Sequence, residues 1–202
     1  SKGRGGIVFI KLVLILLFLI SQVPVSSNKN VSAMPQSRSG ETQIKMIKKA
    51  QNEVKKCPRS KEAYLNLSKA YLQNNMIEKA EETLNKLLKI NSKCIDAWIL
   101  LAQIDMVKKN YSSAQEKCSA ALKINSNDPT VYMVLGNIWI ELKDMEKANK
   151  YLKRAVELNP SLVNAHYNLA TIYQAQKQSG LALKEYQEII KLEPKNIEIR
   201  YK

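Results

Sequence analysis

One histidine, His166, three cysteines, Cys57, Cys94 and Cys118, and a scatter of carboxylates are the side chains of this sequence best suited to catalysis or metal binding. Nucleophilic catalysis needs a Ser, Cys or Thr set against a base, and a hydrolytic zinc site needs His and carboxylate ligands at fixed helical spacing. Neither pattern occurs. There is no HExxH, and the three cysteines lack metal-ligand spacing; their odd number also argues against a disulfide framework. Gly3 to Gly6 belongs to a basic N-terminal stretch rather than to a phosphate loop, and acidic pairs such as Glu81-Glu82 fall on an outward helix face. His166 takes a slot that carries Tyr or Trp elsewhere in the chain, so packing is its expected role, and Cys118 reads as a small buried apolar residue. The expectation is a protein that is not an enzyme and that has no catalytic residue, no metal, no cofactor and no small-molecule substrate.

A formal net charge of +14, from 32 Lys and Arg against 18 Asp and Glu, raises nucleic acid or anionic lipid as a partner. Two features disfavour nucleic acid. Only five of the cations are Arg, the residue that reads bases and phosphates with a bidentate fork. The lysines also alternate with Glu along helices, as in Lys79, Glu81, Glu82 and Lys86, which is the pattern of a solvated face. With only six Gly and six Pro in 202 residues, turns are few and helices are expected.

Ile7 to Ile20 reads IVFIKLVLILLFLI after Lys2 and Arg4, a positive n-region followed by an apolar h-region. Nine uninterrupted apolar residues, Leu12 to Ile20, suit a secretory signal; the longer run from Ile7 to Val25 can span a bilayer if Lys11 snorkels. Small residues at Val25 and Ser27, or at Val31 and Ala33, would permit cleavage, so a signal peptide and an uncleaved anchor both stand. Either one reaches a membrane and puts the body on the non-cytoplasmic side, in the periplasm if the source is bacterial. Ser21 to Gly40, rich in Ser, Asn, Gly and Pro, reads as a flexible linker.

The remainder repeats with a period of 34. Counted from Lys61, Ile95, Pro129 and Val163, the fourth positions are Tyr64, Trp98, Tyr132 and His166, and the seventh are all Leu. The eighth are Ser68, Ala102, Gly136 and Ala170; the twentieth are all Ala; the twenty-seventh are Leu87, Ala121, Ala155 and Ile189. Small residues at eight and twenty let two antiparallel helices approach, and large ones at four, seven and eleven fill the space between them. In the third repeat Val131, Tyr132, Leu135, Ile138 and Trp139 recur at three- and four-residue steps, a helical stripe. Asn91-Ser92, Asn125-Ser126, Asn159-Pro160 and Glu193-Pro194 stop the second helices.

On these residues the chain resembles the tetratricopeptide repeat family, with Tyr132, Leu135, Gly136, Trp139, Ala148, Leu152, Ala155 and Pro160 of the third repeat closest to its pattern. The resemblance implies an all-α, right-handed superhelical solenoid of antiparallel helix pairs, here preceded by an apolar N-terminal helix. Asp105 departs from the aromatic at position eleven, which puts the local packing of the second repeat in question. The organisation expected is a signal peptide or anchor at 1–25, a linker at 26–41 and a capping helix at 42–58. Repeats follow at 61–94, 95–128, 129–162 and 163–196, and a further, truncated helix starts at 197–202. A chain without an initiating Met or a polar cap after its fourth repeat is expected to be part of a longer protein.

The resemblance also implies a binding groove along first-helix positions two, five, six, nine, twelve and thirteen. Its apolar members are Ile99, Leu100, Met106, Met133, Val134 and Ile140; Tyr167 is an amphipathic one. The polar members are Asn66, Lys69, Gln103, Asn137, Asn168 and Thr171. A single cation, Lys69, is too little for the carboxylate clamp of chaperone-binding relatives, so an apolar peptide or helix is the expected ligand. The competing reading is that some of these side chains are covered by adjacent helices. The expected function is a protein-protein interaction scaffold of the cell envelope, with Met133→Glu weakening partner binding. The alternative is that the repeats serve as the recognition arm of a larger enzyme, such as a glycosyltransferase. A third possibility, binding of a membrane surface or nucleic acid through basic residues, predicts steep salt sensitivity.

Overall fold

The computed structural model describes residues 36–194. The apolar stretch Ile7 to Val25, most of the expected linker and the segment 197–202 lie outside the described residues. Nine helices occur among the described residues. The first, α1, covers Gln36–Lys56. It takes in residues 36–41 that the composition assigns to the linker and ends two residues before Pro58, which cannot donate into a helix.

Four hairpins follow, each a first helix of 13 residues and a second of 14: α2 (Lys61–Gln73) with α3 (Ile77–Ile90), α4 (Ile95–Val107) with α5 (Tyr111–Ile124), α6 (Pro129–Glu141) with α7 (Met145–Leu158), and α8 (Val163–Ala175) with α9 (Ser179–Leu192). The described residues divide into two compact units between Ala97 and Trp98. In the first, α1 packs on α2, where the Gln51 amide donates to the Tyr71 hydroxyl at 2.9 Å. In the second, α6 to α9 share a core of Met133, Leu152, Leu169, Ile172, Tyr173 and Ile189, with small residues between them.

The same local chemistry repeats at the same positions. At position fifteen, Asn75, Lys109, Lys143 and Lys177 all adopt positive φ, between 56° and 62°. Each is the left-handed residue of a Schellman closure, in which the next N–H reaches back to a carbonyl of the first helix: Met76 to Tyr71, Asn110 to Asp105, Asp144 to Trp139 and Gln178 to Tyr173, at 2.8 to 3.0 Å. Between repeats, Asn91, Asn125 and Asn159 each accept at Oδ1 from the backbone N–H two residues on, at 3.0 to 3.1 Å. These Asx turns are the physical reason the helices stop there. Ser60 and Asp128 cap the helices that follow them.

Close approach of the paired helices is visible at Gly136. A Cβ built there would lie 2.6 Å from Leu152 Cγ, so position eight of the third repeat has no room for any side chain while Leu152 keeps its place.

Candidate protein-binding face

The expected groove residues do not share one environment. In the first unit, Asn66 and Lys69 are exposed on α2. In the second, Ile99, Met133 and Val134 are buried, at 8%, 3% and 1% exposure, and Met133 belongs to the core that includes Ala165, Leu169 and Tyr173. These three are therefore structural. They were expected to form part of a contact strip, but the structure buries them, while Leu100, Tyr167 and Asn168 at the equivalent positions stay half-buried. Met133→Glu would bury a carboxylate without a partner and would report on folding rather than on binding.

What remains accessible in the second unit is a mixed face. Leu100, Gln103 and Met106 on α4, Asn137 and Ile140 on α6, and Tyr167 and Asn168 on α8 are half-buried; Thr171 is exposed. The Asn168 amide donates to Asn137 Oδ1 at 2.6 Å, which joins consecutive first helices through their side chains. Among the described residues the Asn137 amide hydrogens and the Asn168 carbonyl oxygen have no further side-chain partner, which sets a donor and an acceptor beside half-covered apolar side chains. Tyr167 is held edge-on to Tyr186, with ring centroids 6.5 Å apart.

The groups considered for chemistry are engaged elsewhere. His166 is 4% exposed; Nδ1 lies 2.7 Å from Glu185 Oε2 and Nε2 lies 2.9 Å from the Pro160 carbonyl oxygen. The carbonyl can only accept, so both ring nitrogens are best satisfied when the ring is protonated. The hydrogen bond to Glu185 holds its pKa above the usual imidazole value, with the Pro160 carbonyl adding and burial opposing. His166 is thus an electrostatic tie between α8 and α9, a role beyond the packing expected of it. Cys94 and Cys118 are buried, and burial pushes the Cys118 thiol up to about 12, which keeps it protonated and unreactive. Cys57 is exposed. No cluster of three or more His, Cys, Asp or Glu able to hold a metal occurs among the described residues.

The Asp105 anomaly resolves in the same way. Asp105 is 4% exposed and accepts a hydrogen bond from the Lys117 ammonium, which also lies 2.8 Å from Ser113 Oγ. Lys117 is at position twenty-three of its repeat, where the fourth repeat has Glu185, the partner of His166, and the third has Tyr151, stacked 6.4 Å from Tyr132. Neither Lys117 nor Glu185 was singled out from the sequence; position twenty-three meets position eleven in the second repeat and position four in the third and fourth.

A shallow depression of about 550 Å³ lies at the turn from α4 to α5, lined by Lys109, Asn110, Tyr111, Ser112, Ser113 and Glu116, not on the first-helix face. No helix among the described residues is long and apolar enough to cross a membrane.

Comparison with known proteins agrees with this repeat geometry. A family model described as the C-terminal ARM domain of tetratricopeptide repeat protein 21 matches residues 23–132, more than half of the chain. Models of the tetratricopeptide repeat itself match residues 136–177 and 163–196. No curated protein sequence matches. Among solved structures, a thermophilic TPR protein of Thermus thermophilus superposes with a TM-score of 0.71 at 18% identity, over 82% of this chain and 91% of that one. PilF of Pseudomonas aeruginosa gives 0.64 at 17%, over 98% and 82%. YrrB, a TPR protein with an unusual peptide-binding site, gives 0.54 at 21%, over 75% and 78%. By its repeat spacing, its hairpin geometry and these matches, the chain belongs to the tetratricopeptide repeat family.

Proposed function

We propose that this protein is a non-catalytic scaffold that binds an extended apolar segment of a partner protein along the accessible first-helix face of its second unit. The observation that carries the reading is the Asn137–Asn168 pair, whose spare donor and acceptor lie on the same face as half-buried Leu100, Met106 and Ile140. Amides that can hydrogen-bond a peptide backbone, beside apolar contact area, suit an extended ligand. Peptide binding by YrrB, a protein of the same fold, adds support. The engagement of His166 by Glu185 and Pro160 and the burial of Cys94 and Cys118 favour a body without chemistry of its own.

The apolar run after Lys2 and Arg4 places the scaffold at the cell envelope in this reading, anchored in or exported across the membrane. Cell fractionation tests that part; a full chain recovered in the cytosol refutes it.

The binding part is tested by selecting from a display library of unstructured peptides against the full chain. Selected peptides should be rich in apolar residues, and Ile140→Glu should weaken them at least about tenfold, or roughly 1.4 kcal/mol. The variant is assayed where its unfolding curve shows it folded, because Ile140 also packs against the core. Equal binding by the variant would remove this face from the function.

A further inference from the structure

The charge of this chain is unevenly distributed. Residues 61–194 carry 18 Lys and Arg against 15 Asp and Glu, whereas residues 1–60 carry 11 against 2. At least six of the 18 repeat cations are paired with carboxylates: Lys61 with Asp96, Lys86 with Glu82, Lys117 with Asp105, Lys147 with Asp144, Arg154 with Glu157 and Lys191 with Glu188. Helix α1 does not share this arrangement. Lys45, Lys48, Lys49, Lys55 and Lys56 are all exposed, and none is paired with a carboxylate among the described residues. The one acidic residue among the described side chains of α1, Glu53, is half-buried.

Helical spacing gathers these lysines. At about 100° per residue, Lys45, Lys49 and Lys56 lie on the order of 160–200° round the helix from Ile47, which with Ala50 is buried on the core side. Lys48 and Lys55 widen the stripe on one flank. Ile44 and Met46, at 57% and 56% exposure, stand on opposite flanks near its N-terminal half.

We infer that this outward stripe of α1 docks on an anionic lipid surface. Exposed cations near a membrane are attracted to the acidic headgroups of whichever leaflet they face, by simple charge attraction, and the stripe begins twenty residues after Val25. Its described members are all lysines, compact point charges suited to a diffuse negative surface; bidentate reading of bases or single phosphates favours Arg. The exposed Ile44 and Met46 offer apolar contact to the headgroup boundary. Only the nearness of a bilayer rests on the envelope reading above; the stripe itself stands on α1.

Cys57, directly after the helix, supplies the probe, because Cys94 and Cys118 are buried. The full chain, carrying an environment-sensitive fluorophore on Cys57, is mixed with vesicles of equal parts phosphatidylglycerol and phosphatidylcholine, or of phosphatidylcholine alone. The label should shift to the blue with the anionic vesicles only, and about 0.5 M salt should reverse the shift. Lys45→Gln, Lys49→Gln and Lys56→Gln together should raise the anionic lipid needed for half the shift by roughly 100-fold, at about fivefold per lysine. Arg at the same three positions should preserve it, which separates charge from any local change in the helix. Equal shifts with both vesicles, or a shift the Gln variant retains, would overturn the inference. So would a DNA duplex that shifts the label at concentrations below those of the anionic vesicles, since the stripe would then be a nucleic-acid site. Sedimentation with phosphatidylcholine alone reports the apolar segment separately: a chain that sediments with both vesicles but shows no difference at Cys57 keeps its anchor and loses the stripe.

Discussion

The second and third hairpins fill one frame by opposite means. In the third, Tyr132 stacks on Tyr151, Gly136 admits Leu152, and the Lys147 ammonium lies 4.1 Å above the Trp139 ring. In the second, the site corresponding to Trp139 is a buried carboxylate, Asp105, closed by Lys117 and Ser113. The comparison teaches that the repeat dictates where two helices meet and leaves the means of contact to each pair of facing residues. Apolar contact tolerates the loss of one partner as a cavity; an ion pair turns the same loss into a buried charge.

That difference can be broken from both sides. Leu152→Ala, in the third hairpin, should cost about 3–5 kcal/mol in denaturant unfolding, because a fully buried side chain leaves a cavity against Gly136. In that background Gly136→Ala should become stabilising by about 1 kcal/mol, since the crowding at 2.6 Å is gone and helix propensity remains; alone, it should destabilise by a similar amount. In the second hairpin, Lys117→Met should cost about 3 kcal/mol by stranding Asp105, whereas Asp105→Leu combined with Lys117→Leu should come within about 1 kcal/mol of the parent. A double variant as damaged as the single one would mean that the pair does more than satisfy itself.

The fourth hairpin sharpens the comparison through pH. His166 is held above the ordinary imidazole value by its hydrogen bond to Glu185, so the stability it contributes is complete below pH 6.5 and is lost as pH rises through the folded value. Unfolding free energy should therefore decline as pH rises above 6.5, with a slope of at most about 1.4 kcal/mol per pH unit from this single group. Glu185→Gln should flatten that decline, and the imidazole signal of the sole histidine should titrate lower in the variant. The smallest effect is expected at the turns. Lys109→Gly should raise stability by about 1 kcal/mol, because a lysine at φ 61° bears a left-handed strain that glycine lacks.

The period, the hairpin positions and the small residues at eight and twenty were legible in the sequence, because close helix approach constrains residue size strongly at fixed intervals. The complementary pairs were less so. Asp105 stood out as a misfit, but its remedy lies twelve residues away on another helix, and a pattern read along one helix face does not reach it. The left-handed turns were hidden for a related reason: Lys109, Lys143 and Lys177 occupy a position where glycine would have announced the backbone, and the Schellman hydrogen bonds hold them there instead. The binding face was half legible. The resemblance placed Ile99, Met133 and Val134 in the groove, yet it did not give the rotation that decides which side chains neighbouring helices cover. Half-buried Ile140 and the linked Asn137 and Asn168 are what that rotation leaves accessible.

In cells that express the full chain, a photo-crosslinking residue placed at Ile140 is compared with one at the exposed Lys150 on α7. Protein adducts are expected at Ile140 and not at Lys150, and Asn137→Ala with Asn168→Ala should diminish them. Adducts of equal yield at Lys150, or none at Ile140, would contradict the assignment of this face to partner binding.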